Sequence, residues 1–121
     1  MGLDMYAYRT DTPIPAVDFK PGEGDPEIAY WRKHPNLHGW MEQLYRSKGG
    51  QVESFNGTPV RLDAADLDAL ENAIDENGLP DTTGFFFGES RPEEVEHDRA
   101  FIAAARAALA EGDFVYYDSW W

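Results

Sequence analysis

The stretch Phe114-Val115-Tyr116-Tyr117-Asp118-Ser119-Trp120-Trp121 decides the fold. Five of its eight residues are aromatic and Val115 is β-branched, the kinds that suit a pleated, half-buried strand. Two tryptophans left in solvent would be an aggregation liability. This end is therefore expected to dock, as a strand in a sheet or as the wall of a pocket. The opening segment reads the same way. Leu3, Met5 and Ala7 alternate with Asp4, Tyr6 and Tyr8, the period-two pattern of a strand with one buried face. Two strand-forming ends predict one compact domain, residues 1–121, with both termini built into its sheet.

Between those ends the chain alternates breakers and amphipathic stretches. Residues 10–26 carry Pro13, Pro15, Pro21, Gly22, Gly24 and Pro26, a density that neither helix nor sheet ladder tolerates, so a long loop is expected. Loops of this length are often functional or mobile. Glu27 to Lys33 reads as two helical turns with Ile28 and Trp31 on one side, interrupted at His34 by Pro35. Leu37, Trp40, Met41, Leu44 and Tyr45 then form an amphipathic helical stripe that Gly49 and Gly50 stop. Gln51–Phe55 and Thr58–Leu62 flank Asn56-Gly57, the signal of a hairpin, with Pro59 marking the second strand as short or at an edge. Asp63 opens a second helix, with Leu67, Leu70 and Ile74 as its buried stripe and Gly78-Leu79-Pro80 as its stop. Gly84-Phe85-Phe86-Phe87-Gly88 reads as a buried strand or an ordered loop. Ser90, Pro92 and Glu93 start a third helix that packs through Val95, Phe101, Ile102, Ala105, Ala108 and Leu109. The pattern predicts an α+β domain: about three helices on a small, mostly antiparallel sheet that includes both termini.

Composition bounds the function. Apolar residues make up 42% and aromatic residues 14%, as in a folded globule. With no cysteine there is no disulfide, thiolate metal site or cysteine nucleophile. Neither a signal-peptide pattern nor an apolar run of membrane-spanning length is present, which predicts a cytoplasmic protein that engages no membrane. Asn56-Gly57-Thr58 matches a glycosylation acceptor that has no use without secretion.

The net charge of −13 is unevenly placed. Asp63, Asp66, Asp68, Glu71, Asp75, Glu76, Asp81, Glu89, Glu93, Glu94, Glu96 and Asp98 face a single opposing base in that span, Arg91: twelve against one, a local charge of −11. Elsewhere eleven acids meet nine bases. Such a surface repels nucleic acid and lipid headgroups and attracts basic surfaces or divalent cations. The plain alternative is a solvated helical face that only keeps the protein soluble.

The assembled motifs resemble a family of small uncharacterised bacterial and bacteriophage proteins. Those proteins begin Met-Gly-Leu-Asp-Met-Tyr, carry a Tyr-Trp-Arg-Lys segment followed by a helix, contain Gly-Phe-Phe-Phe-Gly and end in Tyr-Tyr-x-Ser-Trp. Here these are Met1–Tyr6, Tyr30–Lys33 with Leu37, His38 and Trp40, Gly84–Gly88, and Tyr116–Trp121. The resemblance implies no established activity. Kinase chemistry has no support, since no Gly-x-x-x-x-Gly-Lys loop is present. It does imply that the motif segments converge on one site combining Asp4, Tyr6, Tyr30, Arg32, Lys33, His38, Phe86, Ser119 and Trp120. That would be a cationic spot walled by aromatic rings, suited to an anion or a stacked base, where Tyr30, Phe86, Tyr117 and Trp120 meet. The competing reading makes Tyr30 and Trp31 core and leaves Arg32 and Lys33 in solvent.

Other candidate chemistry is thin. His34 and His38 stand four apart, a metal-binding spacing if His34 caps a helix opened by Pro35 and Asp4 or another acid adds a third ligand. The plain alternative is a cap and a helix-surface residue. His97 sits among Glu93, Glu94, Glu96 and Asp98 as a solvated side chain. No motif marks Ser90 or Ser119 as a nucleophile, and Asp63-x-x-Asp66 resembles a capping box. No cofactor is expected. Two functions follow. One is a non-catalytic acidic binding protein engaging a basic, nucleic-acid-binding protein surface through Asp66, Asp68, Glu71, Asp75, Glu76, Glu93, Glu94 and Glu96, in its sharpest form a nucleic-acid mimic. The other is a small-ligand or nucleotide-binding protein or enzyme using the aromatic-basic pocket.

Overall fold

A computed structural model describes residues 2–84 and 87–121. Its elements in chain order are β1 (Asp4–Thr10), β2 (Glu27–Arg32), α1 (Pro35–Ser47), β3 (Val60–Leu62), α2 (Ala64–Asp75), α3 (Glu94–Ala110) and β4 (Phe114–Trp120). The strands form one antiparallel sheet in the order β2-β1-β4-β3, so the two terminal strands are its centre. Alternation along them sorts side chains onto two faces. Met5, Ala7, Trp31, Val115 and Tyr117 point inward and are buried against the three helices, with Leu3, Leu37, Met41, Leu67, Leu70 and Phe101 completing the core. Tyr6, Tyr8, Tyr30 and Tyr116 line the other face, their rings 5.3–6.0 Å from neighbour to neighbour. The expected α+β domain with both ends in the sheet is what forms. No helix among the described residues is long and apolar enough to cross a membrane.

Three local expectations are corrected. Residues 27–32 are a strand, not helical turns. Two turns of helix are marginal alone, whereas β1 offers a full ladder from Asp4↔Arg32 to Ala7↔Ala29. Lys33, at φ 59°, ends the strand, and its amide donates to the Leu3 carbonyl at 2.8 Å. Second, Asn56-Gly57 turns the chain without making a hairpin. Val60–Leu62 pairs with β4 instead, and residues 51–55 form no strand. Pro59 has no amide to contribute there. The Asn56 side chain clamps the last residue: its Nδ2 donates to the Trp121 carbonyl at 2.7 Å, and its Oδ1 accepts from the Trp121 amide at 2.9 Å. Trp121 also donates its Nε1–H to the Phe55 carbonyl at 3.1 Å, while Trp120 stays 66% exposed. Third, the helix beginning at Glu94 has no side-chain cap, because Ser90 is used elsewhere.

The proline-rich segment between β1 and β2 forms no regular element and lies against the outer face. Phe19 meets the Tyr116 ring edge-on at 5.5 Å, Tyr116 donates its hydroxyl proton to Asp25 at 2.6 Å, and Arg61 donates to the Ile14 carbonyl at 2.7 Å. Asn56→Ala removes both bonds that hold Trp121. We expect it to cost roughly 1–3 kcal/mol, measured as a lowered denaturant midpoint with an unchanged slope.

Candidate functional site

Where β2 hands over to α1, His34 takes the N-cap position with no side-chain cap of its own, and Pro35 fills the first helical position. The capping oxygen is borrowed from far along the chain. Ser90 Oγ accepts the Asn36 amide proton at 3.0 Å and lies 2.7 Å from His34 Nδ1. The other side of the ring meets α3: His34 Nε2 is 2.9 Å from Asp98 Oδ2. Asp98 Oδ1 in turn accepts the indole proton of Trp31 at 3.0 Å. His34 and Asp98 are 3% and 1% exposed, so this is a buried polar network in which each heteroatom has a partner.

The network forms one wall of a cleft of about 480 Å³. Its apolar sides come from Ile74, Leu79, Pro92 and Val95, and Asp81, Arg91 and Glu94 stand around them. Glu94 and Asp98 are four apart on α3 and so share one face of the helix. One ligand atom from each of His34, Glu94 and Asp98 falls within 4.8 Å of the others. A cavity with apolar walls and a few convergent ionisable groups is where ligand chemistry is usually found.

Ser90, His34 and Asp98 have the connectivity of a nucleophile triad, but one lone pair of the hydroxyl is already committed to the Asn36 amide. That bond marks Ser90 as the cap of α1 rather than as a poised nucleophile.

The residues expected to form an aromatic-basic pocket are split by the sheet. Asp4, Tyr6, Tyr30, Arg32 and Trp120 do come together, on the outer face, where Asp4 pairs in register with both Arg32 and Trp120. Tyr30 donates to Asp4 Oδ1 at 2.7 Å and Arg32 donates to the same oxygen at 3.0 Å. The hydrogen bond to Asp4 holds the Tyr30 phenol above its ordinary pKa, with burial adding to it. Arg32 and Lys33 are exposed. His38, Tyr117 and Ser119 lie on the inner side, because strand alternation sends Tyr117 and Ser119 opposite to Trp120. Tyr30, Tyr117 and Trp120 therefore cannot wall one cavity. Phe86 lies outside the described residues.

The two histidines proposed as metal partners also part company. His38 Nδ1 lies 2.6 Å from the Tyr117 hydroxyl in the core, while His34 turns toward α3. His97 is a surface residue whose ring lies 5.2 Å from that of Trp31.

The acidic helices are partly self-neutralised. Arg106 binds Asp68 at 2.8 Å and Glu71 at 3.0 Å, Arg99 binds Asp75 at 2.6 Å, and Lys48 binds Asp66. Asp66 also completes a capping box with Asp63, as expected. Glu76, Glu93, Glu94 and Glu96 make no ion pair among the described residues. They belong to the helix ends around the cleft: Glu94 lines it, and Glu76, Glu93 and Glu96 adjoin the lining residues Asn77, Pro92 and Val95. The exposed Asp81 stands with them.

Compared with protein-family models, curated proteins and solved structures, the chain matches none. Sequence reasoning missed Ser90 and Asp98 as partners of His34, and Trp31 as a partner of Asp98. The only local signal was the four-residue spacing of Glu94 and Asp98, lost among so many acids.

Burial holds the His38 imidazole down to about 4 from its ordinary 6.5. The folded protein thus keeps His38 neutral where the unfolded chain would protonate it. The resulting stability is complete above pH 6.5 and drains away as pH falls toward 4. We expect His38→Gln, which cannot titrate, to shrink the stability difference between pH 7 and pH 4.5 by about 2 kcal/mol, measured by urea unfolding at both values.

Proposed function

We propose that this protein is a non-catalytic binding domain that docks the basic surface of a protein partner on the acidic end of its helical layer. The distribution of unpaired charge carries the reading. Acids along the α2–α3 seam are matched by Arg99 and Arg106, whereas Asp81 and Glu94, in no ion pair among the described residues, line one cleft. Glu76, Glu93 and Glu96 are sequence neighbours of its lining residues, and Arg91 is the one lysine or arginine in that lining. Unpaired carboxylates around a concavity focus an attractive field for a cationic partner far better than neutralised ones do. The matched seam interrupts any long row of free charge, which narrows the nucleic-acid-mimic idea to contact at one end. Proteins that bind nucleic acid carry suitable basic surfaces. The chain's end motifs suggest a bacterial or phage setting.

The test compares two variants of equal net charge. In one, Glu76, Asp81, Glu93 and Glu96 become Gln or Asn. In the other, the distant Asp11, Asp18, Glu23 and Glu53 do. We expect the first to weaken salt-sensitive binding of an arginine- and lysine-rich peptide about tenfold at low ionic strength, measured by fluorescence anisotropy. The second should change it little. Equal losses would reduce the effect to net charge and overturn the reading.

A further inference from the structure

We propose that the floor of the cleft is a mononuclear site for a divalent first-row transition metal, with His34 Nε2, Asp98 and Glu94 as its protein ligands. The site shares Glu94 with the docking rim but does not depend on that function.

The donors come from two rigid elements. His34 is fixed at the head of α1, and Glu94 and Asp98 lie one helical turn apart on α3. Their ligand atoms already lie within 4.8 Å of one another. The 2.9 Å between His34 Nε2 and Asp98 Oδ2 is a hydrogen-bond distance. It is also close to the separation of about 3.0 Å between two adjacent ligands that sit at ~2.1 Å from one ion and at right angles. An ion held by both atoms sits off the line between them, so the ring turns its Nε2 lone pair from Asp98 toward the ion while the two groups keep their spacing.

The outer contacts are those that a metal site needs. A ligating imidazole donates its second ring N–H to a fixed acceptor, and a ligating carboxylate is oriented by a further hydrogen bond. Here Ser90 Oγ faces Nδ1 and is itself anchored by the Asn36 amide, while the Trp31 indole holds the far oxygen of Asp98. With its proton on Nε2, the ring donates to Asp98 and accepts the Ser90 hydroxyl proton at Nδ1. With an ion, Nε2 presents its lone pair to the metal, Nδ1 carries the proton, and the hydroxyl turns to accept it. The two arrangements differ in which ring nitrogen carries the proton.

Imidazole among the donors, with only two carboxylates, favours zinc, manganese or cobalt over calcium or magnesium, which take oxygen-rich shells. Three protein ligands leave positions open toward the cleft for water or a bound group. A hydrogen-bonded pair that merely tied α1 to α3 would need His34 and Asp98 alone. Glu94, with a ligand atom within 4.8 Å of both, is the third donor that such a pair would not need.

The experiment uses the full chain stripped with chelator and titrated with Zn²⁺, Mn²⁺ and Co²⁺, with Mg²⁺ and Ca²⁺ as controls. Calorimetry should give one ion per chain, and Co²⁺ should develop a visible absorption band. Glu94→Gln, at a half-buried side chain with no ion pair among the described residues, should weaken binding about tenfold or more. His34→Gln should abolish the cobalt band, and His97→Gln should leave affinity unchanged. Circular dichroism establishes that each variant is folded. No saturable binding by any of the three ions, or loss on His97→Gln but not on Glu94→Gln, would overturn the site. Absent metal binding with peptide docking intact would remove the ion and leave the docking role standing.

Discussion

Everything in this molecule is hung on the ladder between β1 and β4. Seven registered pairs run from Asp4↔Trp120 to Thr10↔Phe114, joining segments more than a hundred residues apart. β2 attaches to the free side of one strand and β3 to the free side of the other. Because successive side chains alternate, this one register decides which residues are core and which form the tyrosine face. A one-residue slip would drive Tyr6 and Tyr8 into the helices and turn Met5 and Ala7 out to solvent. The entropy of closing so long a loop is offset by the apolar surface that correct register buries.

Beyond the apolar core, a buried carboxylate fastens the helical layer to that sheet. Asp98 accepts from Trp31 of β2 and meets His34 at the head of α1, so one side chain of α3 ties together three elements. Burying a carboxylate is costly unless its oxygens are satisfied, and both of them are. The same bonds that stabilise the packing also hold His34 and Asp98 in one orientation. Rigidity at the cleft is thus a by-product of how the helices are attached, not a separate device.

How far these features were legible in the sequence depends on the range over which their causes act. The α1 boundaries follow from Pro35 and Gly49, and the Asp63/Asp66 capping box forms as its spacing implies. β1 follows from alternation, and β4 from its aromatic content and the need to dock two tryptophans. Residues 27–32 were misread because a short apolar run suits helix and strand alike, and only the presence of β1 decides. Asn56-Gly57 turns as expected, yet its flanks find better partners elsewhere. The cleft was invisible for a stronger reason. Ser90, Asp98 and Trp31 meet through separations of 56, 64 and 67 residues, and no local pattern records such a meeting. The acidic face looked uniform in one dimension because Lys48, Arg99 and Arg106, which pair with four of its twelve carboxylates, lie outside the acidic span.

The antiparallel pairing of Asp4 with Trp120 sets the two chain ends side by side at one edge of the central ladder. A pull applied across residues 4 and 120 therefore loads the hydrogen bonds one after another, as a zip opens, instead of shearing all seven pairs at once. Mechanically the domain is soft along that axis, however stable it is to heat. The same adjacency lets a short linker join the ends, so a circular permutant opened in the exposed 20–24 segment keeps the middle of the sheet intact.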